Sequence, residues 1–133
     1  MRGRLRIHRG VEFKHSGDGI MAWFTAAADA IECAFQINED LETANVSHPE
    51  FPLVLRTGIA AGDVILRRGD LFGLSVVEAS RICDIAAGGQ ILVSDRIARE
   101  ADRGAGVAFT PLGPIELKGL PDAVPVWEAN SGE

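Results

Sequence analysis

The sequence predicts a single α+β domain in which helices lie on one face of a mostly antiparallel sheet. Three observations carry this expectation. Short β-prone runs alternate with longer runs of helical period along the chain, the mark of helices interspersed with antiparallel hairpins. The Asp18-Gly19 pair stands between two β-prone runs, and Asp-Gly is a strong hairpin signal because Gly tolerates positive φ. The chain has 133 residues, one domain's length, and a chain of that size hides roughly two-thirds of its unfolded surface on folding.

The elements follow in order. Val11 to Lys14 and Ile20 to Phe24 form a hairpin with Asp18 at its tip. Thr25 caps a helix to about Thr43, with Ala27, Ile31, Ala34, Phe35 and Leu41 on its apolar side and Asp29, Glu32, Glu39 and Glu42 on a solvated side. Val46 to Pro52 is a loop. Leu53 to Ala60 and Val64 to Arg67 are expected as a second β pair, followed by a loop from Arg67 to Gly73. Leu74 to Ala87 reads as a helix closed by Gly88-Gly89. Gln90 to Ser94 is a strand, Asp95 caps a helical segment to about Ala101, and Val107 to Thr110, Ile115 to Lys118 and Val124 to Glu128 are further strands. This order of strands and helices resembles a ferredoxin-like split βαβ core without its opening strand. No repeat, low-complexity tract or linker interrupts it.

Composition removes several functional classes. Thirteen Lys and Arg against 19 Asp and Glu leave a formal charge of −6, which disfavours non-specific nucleic-acid binding. No apolar run approaches the roughly 18 residues of a membrane span. The basic Met1 to Arg6 stretch is followed by no apolar segment and does not read as a secretory signal. Cys33 and Cys83 lie far apart in apolar helical patterns, as reduced thiols of a cytoplasmic protein do. His8, His15 and His48 do not cluster with them, so a structural zinc site is not expected.

Five segments are more specific: Glu12 to Gly19, Arg56 to Val64, Asp70 to Arg81, Gly89 to Ser94 and Glu116 to Pro121. In this order and spacing they resemble the catalytic domain of class III nucleotide cyclases, from about Gly10 to Glu128. The resemblance implies a palm-type, ferredoxin-like fold and the conversion of ATP to cyclic AMP and pyrophosphate. That chemistry joins the ribose 3′-oxygen to the α-phosphate with two Mg2+ or Mn2+ ions, for which carboxylates are suited ligands. It makes Asp18 a metal-binding aspartate, places Lys14 and Asp70 on the adenine ring as donor and acceptor, and assigns Arg81 to transition-state charge on the α-phosphate. Guanidinium suits that task, being always charged and donating in a fork. Lys118 is placed near the triphosphate. The family's sites form between two domains head to tail, which implies a homodimer or pairing with another cyclase domain.

Each residue also has a plainer reading. On that reading Asp18 only makes the turn, Lys14 faces solvent from its strand, and Arg81 pairs with Glu78 at i−3. Two departures from the family are visible. Family domains begin with a strand and two helices ahead of the Lys14 segment, and that strand carries the other metal aspartate. Residues 1–133 therefore read as one partial cyclase domain with the first metal-binding strand missing. Val77 stands where catalytic members carry asparagine, one turn before Arg81 on the same helical face. The alternative function is a non-catalytic cyclase-like module that binds nucleotide or regulates a complete domain.

Overall fold

The computed structural model describes residues 3–4, 10–16, 19–50, 52–63, 65–67, 70–101 and 106–131. They form strands β1 (Val11–Ser16) and β2 (Gly19–Trp23), helix α1 (Ala27–Ser47), strands β3 (Thr57–Ile59), β4 (Ile65–Arg67) and β5 (Asp70–Phe72), helix α2 (Leu74–Ile85), strand β6 (Ile91–Ser94), helix α3 (Asp95–Ala101), and strands β7 (Val107–Ile115) and β8 (Val124–Ser131). The order β3-β6-β8-β7 makes a four-stranded sheet, parallel between β3 and β6 and antiparallel elsewhere; β1-β2 and β4-β5 are separate hairpins.

Alternate residues of β6 go to different cores. Ile91 and Val93 join Ile31 and Ala34 of α1, Ile97, Ala98 and Ala101 of α3, and Ala129 of β8. Leu92 joins Ile82 of α2 and Ala86 just past its end, with Val126 and Leu117. Successive strand side chains point to opposite faces, so α1 and α3 cover one face and α2 the other. This corrects the one-faced arrangement expected from sequence. The uninterrupted apolar run Ile91 to Val93 is what a strand covered on both faces requires, and all four residues of β6 are buried.

Gly58 fixes the closeness of α2. A Cβ there would lie 2.4 Å from both the Ala79 carbonyl oxygen and the Cys83 nitrogen. The absence of a side chain lets the helix backbone settle directly on β3.

Several boundaries differ from expectation. The second β pair is corrected: β3 pairs with β6, and β4 instead pairs with β5, a segment expected as loop, through Ile65↔Phe72, Leu66↔Leu71 and Arg67↔Asp70. Only Arg68-Gly69 separates these strands in sequence, and a Gly-containing two-residue link favours a tight hairpin. Of the expected strand Ile115 to Lys118 only Ile115 is strand, as the last residue of β7, which runs unbroken from Val107 past Pro111 and Pro114 with a register shift near Gly113; Lys118 lies in the turn that follows. β7 is an edge strand, where prolines cost no ladder bond on the open side. α1 begins after Ala26 with no side-chain cap, so Thr25 is not its cap. Ser94 rather than Asp95 caps α3, its Oγ accepting from the Ile97 N–H at 3.4 Å. Asp95 accepts from Trp127 Nε1 at 3.1 Å and pairs with Arg99 at 3.0 Å.

Candidate active site

α2 presents Val77 and Arg81 four residues apart, hence on one face of the helix. Val77 is exposed, and its side chain offers no polar atom to a ligand. Arg81 NH1 donates to Asp84 Oδ2 at 3.3 Å, one turn further on, while its Nε is buried without a hydrogen-bond partner. The partner of Arg81 is therefore Asp84, not Glu78. Glu78 is half-buried on the same helix, and that burial pushes its carboxyl above the ordinary range. Arg56 reaches the same turn, its NH1 donating to the Asp84 carbonyl oxygen at 3.5 Å. Sequence reasoning missed Asp84 and Arg56; the i, i+3 spacing of Arg81 and Asp84 was the available signal.

The turn carrying Lys118 is tied to α2 from below. Leu117 is buried in the same core as Ile82, so Lys118 and Arg81 each adjoin an anchored residue of one cluster. The turn closes with Leu120 N–H donating to Leu117 O at 3.2 Å and Gly119 at φ +85°. Lys118 is exposed and shares a shallow surface cleft with Glu116 and Asp122.

Lys14 lies on β1 opposite Met21, next to a register irregularity after Glu12. Asp70 opens β5 opposite Arg67. β1 and β5 come close to each other without sharing a ladder, so the strands bearing Lys14 and Asp70 approach within one chain. Asp18 lies outside the described residues. Among the described residues no three His, Cys, Asp or Glu side chains come together as a cation site. The described side chains thus do not by themselves fit a divalent ion. No helix among them is long and apolar enough to cross a membrane.

The adenylate and guanylate cyclase catalytic domain family matches residues 11–128. A protein of Rhizobium meliloti assigned as an adenylate cyclase is 35% identical over 122 residues, covering 91% of this chain and 21% of its own length. A pH-sensitive adenylate cyclase of Mycobacterium tuberculosis is 30% identical, covering 90% of this chain and 30% of its own length. The chain thus spans between a fifth and a third of these relatives. Among solved structures, an adenylate/guanylate cyclase/hydrolase from Silicibacter pomeroyi superposes with a TM-score of 0.86 at 30% identity, over 99% of this chain and 79% of that one. The adenylyl cyclase CyaB from P. aeruginosa gives the same TM-score at 17% identity, over 99% of this chain and 77% of that one, a likeness of fold. A match over nearly the whole chain, on a sheet of this order with these helices, means that the chain belongs to the adenylate and guanylate cyclase catalytic domain family.

Proposed function

We propose that the chain is an adenylate cyclase domain, in which the 3′-oxygen of ATP attacks the α-phosphate, the bond to the β-phosphate oxygen breaks, and cyclic AMP and pyrophosphate leave. The observation that carries this reading is Arg81. Its guanidinium pairs with Asp84 through one terminal nitrogen while the side chain stays 36% exposed, within reach of a ligand. In a family whose substrates are nucleoside triphosphates, an accessible guanidinium suits the oxygens where charge develops. Lys14 and Asp70 read adenine as donor and acceptor, and the adjacency of their strands supports the pairing. Asp18 is the carboxylate for Mg2+ or Mn2+, and Lys118 meets the triphosphate. The sites are completed by a second copy or another cyclase domain, Asp18 coming from one and Lys14, Asp70 and Arg81 from the other, in the cytoplasm.

A second reading is a module that holds nucleotide without turning it over. Val77 favours it, because an exposed valine one turn from Arg81 can neither bond the ribose nor orient a phosphate. The experiment is cyclic AMP formation from ATP with Mn2+, alongside Asp18→Asn. Product that disappears in the variant supports the cyclase. Nucleotide binding with no product supports the module.

A further inference from the structure

The β1–β2 hairpin shares no ladder with another strand among the described residues, although it carries Lys14 and flanks Asp18. β1 comes close to β5, and side chains at the hairpin's exit pack on α1. On the exit side Ala22 and Phe24 pack on Cys33 and Ile37. On the entry side Arg4 donates Nε to Asp40 Oδ2 and NH2 to Asp40 Oδ1, both at 2.8 Å. Cys33, Ile37 and Asp40 follow one another at helical spacings of four and three, so one stripe of α1 receives both Arg4, ahead of β1 in sequence, and the residues that leave β2.

Charge favours this placement. The first ten residues contain Arg2, Arg4, Arg6 and Arg9 and no acid, whereas α1 contains Asp29, Glu32, Glu39, Asp40 and Glu42 and no Lys or Arg. The two-pronged geometry adds direction to that attraction, since a guanidinium fork matches a carboxylate in only a few orientations. Arg4 in turn holds the Asp40 carboxyl below its ordinary range through this hydrogen bond, so the acceptor is ionised at neutral pH.

We propose that Arg4 and Asp40 are positioning residues for the hairpin, clamping the chain that enters β1 to the face of α1 that grips the chain leaving β2. The pair thereby sets where the backbone of Lys14 stands relative to β5. The proposal draws on the cyclase reading only for what the hairpin carries; the clamp itself is independent of it. Both partners are open to solvent, with side-chain exposures of 33% and 46%, so the clamp weakens in salt.

Hydrogen–deuterium exchange on the 133-residue chain at neutral pH tests this without nucleotide, so failure of the cyclase reading would not disturb the result. Asp40→Asn and Arg4→Gln are each expected to speed exchange across residues 11–23 by about threefold to fivefold, while β6 and β8 stay unchanged. The exchanged pair, Arg4→Asp with Asp40→Arg, restores the original rate. About 1 M NaCl applied to the unsubstituted chain reproduces the single variants. Unaltered hairpin exchange, equal acceleration in β6 and β8, failure of the exchanged pair to restore protection, or a hairpin already exchanging at the free-chain rate would each overturn the proposal.

Discussion

Arg81 and Glu78 stand one turn apart on α2, and their surroundings give them opposite energetic signs. Arg81 makes one exposed i, i+3 pair, so its removal takes little from the fold. If it stabilises charge on the α-phosphate, Arg81→Ala lowers turnover by about a hundredfold or more while the melting temperature stays nearly constant. An unchanged rate would remove it from the site. Glu78 is half-buried, and its carboxyl is raised because burial penalises the charged form. A group whose folded value lies above its unfolded one takes up protons on folding. Stability is therefore lost as pH rises from the ordinary glutamate value near 4.3 through the raised folded value. Glu78→Gln is expected to raise the melting temperature at pH 7 by about 2 °C, with the gain fading below about pH 4. A gain that persists in acid would point to packing rather than charge.

At the scale of elements, the contact between β3 and α2 is the tightest constraint. Gly58→Ala should destabilise the chain by about 3 kcal/mol in denaturant unfolding, because the atoms it meets are backbone and cannot swing aside. A neutral result would mean that α2 can lift from the sheet. If the proposed nucleotide site lies against the face of α2 that bears Val77, Val77→Asn should raise turnover in the cyclic AMP assay by about tenfold, by adding a hydrogen bond to the nucleotide. A flat response would show that Val77 does not limit the site. The elements themselves were largely legible, since Asp18-Gly19 announced the first hairpin and the apolar spacing of Ile31 and Ala34 announced α1. The pairing of β3 was not, because a three-residue strand can be satisfied by β4 or by β6, and only long-range packing on α2 decides. Gly69 held the clue to the β4–β5 hairpin. At the site, residue types were readable but partners were not, as Arg81 pairing with Asp84 rather than Glu78 illustrates: both lie three residues away, and spacing alone does not choose between them.

In the whole molecule, α1 bridges two pieces of β structure, packing Ile31 and Ala34 on the four-stranded sheet and Cys33 and Ile37 on the residues that leave the hairpin. β3 ends the sheet order, so one of its edges has no strand partner among the described residues. An unpaired edge is a ready template for another strand. In the proposed reading, recognition of the base is where fold and function meet, because Lys14 and Asp70 stand on strands that come close to each other. The most direct measurement of the central claim is calorimetric binding of ATP and GTP, each with Mn2+, to the chain and to the double variant Lys14→Ala with Asp70→Ala. The account predicts ATP favoured by about tenfold or more, a preference of about 1.4 kcal/mol, and its disappearance in the double variant. Equal binding of the two nucleotides, or a preference for ATP that survives loss of both residues, would contradict it.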